Sequence, residues 1–117
     1  LLPLVSVAAI VLIVANVVGI NIDQILLTAP ILFIAVAIHN IVGIGIGYGL
    51  ARLVQAGVPQ RRTVAIEVGM QNSGLAVSLA TTHFNPATAI PGALFSVWHN
   101  LTGPALASYW ASRKKNA

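Results

Sequence analysis

A chain of 117 residues that is 57% hydrophobic and 7% charged, with a mean hydropathy of +0.90, carries too few charges to wet a folded surface; a soluble domain holds about 25%. The formal net charge of +4 does not mark a nucleic-acid binder, because the basic residues form two short clusters bracketing apolar spans rather than a basic face with polar or aromatic relief. Without cysteine there is no disulfide framework and no thiolate metal site.

Crossing a hydrocarbon core about 30 Å thick takes roughly 20 helical residues, and four stretches reach that length. The first covers residues 1–19 and ends in the polar turn Asn21-Ile22-Asp23-Gln24. It begins at Leu1-Leu2-Pro3, without an initiator Met and already inside an apolar run. No charged leader precedes a small-residue cleavage site, so the chain is expected to be a fragment whose N-terminal part is missing. The second span covers residues 30–51 and opens at Pro30, which suits a first helical turn. The third covers residues 63–83 and the fourth residues 87–110. Short connections holding Pro, Gly, Asn or charge separate them. Barrel strands would alternate apolar and polar residues, and these runs do not. The expected fold is all-α and integral to a membrane, a single domain fragment of four transmembrane helices.

All six Lys and Arg lie in two places. Arg52, Arg61 and Arg62 share one loop, and Arg113, Lys114 and Lys115 form the tail. Two spans separate the clusters, so both fall on one side. The positive-inside rule makes that side cytoplasmic, with Tyr109 and Trp110 near the inner interface and the C-terminus inside.

The third span departs from lipid solubility. Its centre reads Glu67-Val68-Gly69-Met70-Gln71-Asn72-Ser73-Gly74. A charge at the bilayer centre costs at least about 2.5 to 3.5 kcal/mol, and such residues face a bundle interior or an aqueous path. Gly69 and Gly74 weaken the helix about one turn apart. An unwound stretch there would present carbonyls on one side and amides on the other, as in transporters whose broken helices take Na⁺ and an anionic substrate. Na⁺ is a hard cation, and oxygens of Glu67, Gln71 and the Val68 and Met70 carbonyls suit it. The plainer alternative is a buried Glu67 hydrogen-bonded to a polar neighbour, holding helices together.

The run Glu67-Val68-Gly69-Met70-Gln71-Asn72-Ser73-Gly74-Leu75-Ala76 resembles the ninth-helix signature of the bile acid:sodium symporter family. The resemblance extends over the whole chain, through Leu2-Pro3-Leu4, His39-Asn40, Arg61-Arg62-Thr63 and Trp98-His99-Asn100. It implies the C-terminal part, helices seven to ten, of a ten-helix transporter built from two inverted repeats, in which one broken helix from each repeat crosses the other. On that likeness Glu67 matches the carboxylate shared between the family's two sodium sites. Gln71 matches a side-chain ligand of the second site, and Val68 and Met70 match its carbonyl ligands. Asn72 matches the position at the crossing that contacts the substrate's anionic group. Ser73 adjoins it, His39 and Asn40 match positions in the transport core near the crossing, and all three join Asn72 as candidate substrate-binding residues. The resemblance further implies Na⁺ as coupling ion, a bile-acid-like or pantoate-like carboxylate as substrate, and the missing N-terminal helices as partner. The short loops point to a bacterial inner membrane or a plastid. The polypeptide alone is not expected to transport.

Other signals are read as structural. Gly43/Gly47 and Gly45/Gly49 form two G-x-x-x-G pairs that permit close helix contact. His39 and Asn40 are as compatible with an interhelical hydrogen bond as with a ligand role. His83 and His99 lie farther from the signature, and no His pairs with an acid at metal-ligand spacing. Asn85-Pro86-Ala87 is a single copy of a box that aquaporins use in pairs. Asn100-Leu101-Thr102 fits a glycosylation sequon but lies within a span.

The leading expectation is a sodium-coupled carrier of an organic anion, in contact with membrane lipid and with no nucleic-acid partner. The alternatives are a proton-coupled carrier in which Glu67 titrates, and an uncoupled channel or assembly subunit. An enzyme is not expected, because one buried Glu and scattered His do not assemble a nucleophile, a base and an orienting acid.

Overall fold

The computed structural model describes residues 2–114. Leu1, the expected start of the first span, and Lys115 of the basic tail lie outside the described residues. Among the described residues every regular element is helical: α1 (Leu2–Ile20), α2 (Ile22–Leu53), α3 (Val58–Gly69), α4 (Ser73–His83), a 3-10 turn (Pro86–Ala89) and α5 (Ile90–Lys114). The chain is thus all-α. Val and Ile recur along α1 and α2, although they are mediocre helix formers in water. A medium without water leaves the backbone no partner but itself, and that constraint outweighs propensity.

One described helix, α2, is both long and apolar enough to cross a membrane alone. Its 32 residues extend ~48 Å at 1.5 Å per residue, beyond a core about 30 Å thick. Apolar α1 is shorter. The third expected span is divided into α3 and α4, of 12 and 11 residues. In α5, Ser96, His99, Asn100 and Thr102 interrupt the apolar character. Large side chains such as Leu27, Ile31, Ile38 and Ile41 stand exposed along α2. Lipid tolerates such a surface and water does not.

The first helix boundary differs from its expected place. The polar turn after α1 shrinks to Asn21, and α2 begins at Ile22, ahead of Pro30, which lies inside it. One residue suffices because Asn21 serves both helices. Its Nδ2 donates to Val17 O at 2.9 Å, closing α1, while its own carbonyl accepts from Ile25 N at 2.9 Å, opening α2. Asp23 then falls in the first turn of α2, where a negative charge meets the positive helix end. Pro30 removes one ladder hydrogen bond, a loss that transmembrane helices tolerate.

The chain forms two compact units. Among the described residues one comprises residues 2–34 with Asn72–Ser96. Its core joins Val17 of α1, Val77 and Ala80 of α4, and Ala89 and Ala93, with Val14 and Val18 packed against them. Ser96 Oγ donates to Ser73 Oγ at 2.7 Å, both side chains being buried. The Asn-Pro-Ala box is a cap here. Asn85 Oδ1 accepts from Thr88 N at 3.2 Å, and Pro86 occupies the first turn of the 3-10 segment.

Among the described residues the other unit comprises Ala35–Gln71 with residues 97–114. Here α2 and α3 approach closely, and the two glycine pairs separate. A Cβ at Gly47 would meet Val64 O at 2.8 Å and Val68 Cβ at 2.9 Å, and one at Gly43 would meet Val68 O at 3.2 Å. Gly45 and Gly49 have nothing within 4 Å of a Cβ. Only the first pair is a packing seam within this unit. Between α2 and α3, Gln55 takes a left-handed φ of 58°. Its N–H donates to Arg52 O at 3.0 Å and that of Ala56 to Ala51 O at 3.0 Å, the paired bonds of a Schellman cap.

The basic residues gather at one end of this unit. Arg62, in the first turns of α3, donates from Nη1 to Trp110 O of α5 at 3.3 Å, and its guanidinium lies 5.6 Å from the Trp110 ring centre. Tyr48 of α2 lies 6.4 Å from the same ring. The end of α2, the start of α3 and the end of α5 therefore meet. Arg52, Arg61, Arg62 and Arg113 lie toward that end of the unit.

Two substitutions test this packing in detergent-solubilised protein by thermal denaturation. Gly47→Ala is expected to destabilise by about 1–3 kcal/mol through overpacking against the α3 backbone, whereas Gly45→Ala and Gly49→Ala are neutral or stabilising by up to about 1 kcal/mol. Equal losses at all three positions would contradict the seam. Gln55→Gly, which relieves a left-handed side-chain residue, is expected to raise stability by about 1 kcal/mol or less, and a fall in melting temperature would show that the cap does not govern this turn.

Candidate functional site

The polar centre of the third expected span is where the helix breaks. α3 ends at Gly69 and α4 starts at Ser73, leaving Met70, Gln71 and Asn72 outside regular helix. Met70 (φ −88°, ψ 65°) still donates its N–H to Ile66 O at 2.8 Å, so the last turn of α3 closes before the chain departs. The freed carbonyls that follow find side-chain donors. Gln71 Nε2 donates to Val68 O at 2.8 Å. Asn40 Nδ2, from α2, donates to Gly69 O at 3.0 Å. Gly69 has to be glycine for this approach, because a Cβ would run into Ile44 and stand 3.5 Å from Asn40 Nδ2.

Asn40 is 2% exposed and engaged at both ends of its carboxamide. Its Oδ1 accepts from Trp98 Nε1 at 3.2 Å. Thr102 Oγ1 lies 3.1 Å from the same oxygen and 3.2 Å from Trp98 O, so its single proton is shared between them. An indole N–H only donates and a peptide carbonyl only accepts. The Asn40 amide is therefore fixed in one orientation, with nitrogen toward α3 and oxygen toward α5.

The remaining expected site residues are placed as follows. Glu67 lies exposed on α3, and among the described residues no hydrogen bond or ion pair engages its carboxylate. The Met70 side chain packs on Gly103 of α5, where a Cβ would meet its sulfur. Glu67, Val68, Met70, Gln71 and Asn40 all belong to the unit containing α3, as does His39, which is exposed on α2.

Asn72 and Ser73 belong to the unit containing α4. Asn72 is the N-cap of α4: its Oδ1 accepts from Leu75 N at 3.0 Å and its carbonyl from Ala76 N at 3.1 Å. This uses the side-chain oxygen and leaves the amide nitrogen directed by the cap. Ser73 is buried against Ser96. His83 closes α4, where a basic residue suits the negative helix end. His99 is buried within α5.

Trp98 and Thr102, which hold Asn40, and Ser96, which holds Ser73, escape the residue-by-residue reading of the sequence. The spacing of Trp98 and Thr102 offers a signal, since residues i and i+4 share a helix face and both carry a donor that a lipid-facing stripe has no use for. Ser96 offers none beyond being a small polar residue in an apolar run.

The α3 end presents carbonyl oxygens and a carboxylate, the donor set a hard monovalent cation prefers. The α4 start presents backbone amides at the positive end of a helix, suited to an anion.

No family model matches the chain. It is 49% identical over 114 residues to an uncharacterized sodium-dependent transporter of Bacillus subtilis, across 97% of this chain and 36% of that protein. To a chloroplastic protein of Arabidopsis thaliana described as a probable sodium/metabolite cotransporter it is 39% identical over 110 residues, across 93% of this chain and 27% of that protein. A rice protein of the same description is 38% identical over 117 residues, across 99% of this chain and 29% of its own length. The chain thus spans about a third of the length of the curated relatives it matches. Identity at this level, running almost end to end and through the Glu67-to-Ala76 signature, places the chain in a family: it belongs to the bile acid:sodium symporter family.

Proposed function

We propose that the chain is the ion- and anion-binding part of a secondary active transporter that couples Na⁺ to the movement of an organic anion. The observation that carries this reading is the interrupted helix: a carboxylate, a carboxamide and freed carbonyls end α3 just before backbone amides begin α4. The names of the relatives, which describe sodium-dependent transport and sodium/metabolite cotransport, support the coupling ion.

In this reading Na⁺ is bound by Glu67, the Val68 and Met70 carbonyls and Gln71. The Gln71 amide swings from Val68 O so that its oxygen faces the ion. The organic anion, of bile-acid or pantoate type, is bound at the α4 start through Asn72 and Ser73; His39 on α2 is a further candidate contact. Asn40 contributes through the backbone it holds. The four spans are helices seven to ten of a ten-helix inverted-repeat transporter, and the helices of the first repeat complete both ion sites. The basic end of the α3 unit faces the cytoplasm, with the C-terminus inside, and the membrane is a bacterial inner membrane.

The test is uptake into proteoliposomes holding the full-length protein, with pantoate and a bile acid as probes. An inward Na⁺ gradient is expected to drive accumulation, and Glu67→Ala to reduce it at least about tenfold, as removal of a charged ligand from a low-dielectric site does. Gln71→Ala is expected mainly to raise the Na⁺ concentration for half-maximal uptake. Uptake indifferent to both Na⁺ and Glu67→Ala, or driven by a pH gradient without Na⁺, overturns the reading.

A further inference from the structure

We infer that Asn40, locked by Trp98 and Thr102, is a positioning residue that sorts the carbonyls at the end of α3 and so selects which of them the coupling ion can recruit. The inference rests on the proposed sodium coupling.

Three carbonyls near the α3 end are satisfied in three different ways. Ile66 O is held by the Met70 backbone N–H at 2.8 Å, a bond that belongs to the helix. Gly69 O is held by Asn40 Nδ2 at 3.0 Å, a donor from another helix and from a side chain that is 2% exposed. Val68 O is held by Gln71 Nε2 at 2.8 Å, and Gln71 is exposed. Only the last donor sits on a side chain free to turn. A carboxamide presents nitrogen or oxygen by rotation about its last bond, so Gln71 can withdraw its donor from Val68 O and offer its oxygen to a cation beside it. Gly69 O has no such freedom.

Its fixity has a physical cause two helices away. An Asn amide held at one end alone could flip. Here the indole N–H of Trp98, 3.2 Å from Oδ1, accepts no hydrogen bond, so a flipped Asn40 would set donor against donor there and oxygen against oxygen at Gly69. Thr102 Oγ1, 3.1 Å from Oδ1, adds a second donor on the same side. In a medium without water an unsatisfied buried group has no other partner, which makes the flip costlier still. The clamp therefore pins Gly69 O toward α2 and fixes how the chain leaves α3. The Val68 and Met70 carbonyls on either side take their directions from that pinned peptide.

The sorting predicts an effect on ion affinity that differs from a general loss of folding. In the full-length protein Trp98→Phe and Thr102→Val each remove a donor to Asn40 Oδ1 while keeping a side chain of related shape. Each is expected to raise the Na⁺ concentration for half-maximal uptake about three- to tenfold, the worth of one buried hydrogen bond. The maximal rate at saturating Na⁺ and the KM for the organic anion are expected to stay near wild type. Hydrogen exchange of the Met70 amide, read by mass spectrometry or NMR, is expected to quicken in both variants. Asn40→Leu, if it folds, is expected to show both effects more strongly.

An unchanged Na⁺ half-saturation in Trp98→Phe and Thr102→Val overturns the inference, as does a loss of maximal rate without a shift in Na⁺ dependence. Should wild-type uptake prove independent of Na⁺, the sodium-coupled reading fails instead. The exchange measurement then still decides the clamp, because unchanged exchange at Met70 shows that Asn40 does not hold the α3 end.

Discussion

An interrupted helix in a lipid environment sets free backbone groups that no water can answer, and each must find a partner within the protein. Around the gap of Met70, Gln71 and Asn72 between α3 and α4, several of these groups find named partners. The chain's own backbone answers Ile66 O, Gln71 answers Val68 O, Asn40 answers Gly69 O, and Asn72 answers the amide of Leu75. Much of the unit containing α3 follows from one of these bonds. Asn40 reaches Gly69 O because Gly43 and Gly47 let α2 lie against the α3 backbone, where a Cβ at Gly47 would stand 2.8 Å from Val64 O. It presents nitrogen there because α5 supplies Trp98 and Thr102 to its oxygen. Three helices are thus tied at a single buried carboxamide.

The membrane class and the helical fold were legible in composition, because a chain with 7% charged residues has no way to cover itself in water. The place of the break was legible too. Glu67, Gln71, Asn72 and two glycines crowd a span that would otherwise be apolar, and the helix opens among them. What sequence could not resolve was direction. Four glycines spaced by two look equivalent along α2, yet Gly43 and Gly47 face α3 and Gly45 and Gly49 do not. Only the partner helix decides between faces that differ by about 100° per residue. The start of α2 lies away from Pro30 for a related reason. Pro30 reads as a helix opener, but lipid favours continuing the helix around it, and Asn21 alone closes one helix and opens the next.

Asn40 shows a further limit. From sequence it stood level with His39 as a ligand or a strut. In the fold the two neighbours diverge, His39 being exposed and Asn40 buried with both ends of its amide engaged. Adjacent residues on a helix point about 100° apart, so a dipeptide motif seldom has one role. The residues that fix Asn40 lie 58 and 62 positions along the chain, and no local pattern connects them.

In the proposed symporter the break would let one short segment serve two charges of opposite sign. Helix ends carry opposite partial charges, negative where carbonyls are freed at the end of α3 and positive where amides are freed at the start of α4. Each end suits one species, and only Met70, Gln71 and Asn72 separate them along the chain. In the proposed symporter Na⁺ neutralises the Glu67 carboxylate, whereas an organic anion arriving alone would add a second negative charge in a low-dielectric medium. A cation held at the carbonyl end lowers the cost of an anion at the amide end, and the reverse holds to the same degree, because coupling between two bound ligands is reciprocal. Coupling of this kind needs the carbonyl end held in register while the groups beside it exchange partners. A rigid tie at Gly69 O next to a movable one at Val68 O meets both requirements within two adjacent residues.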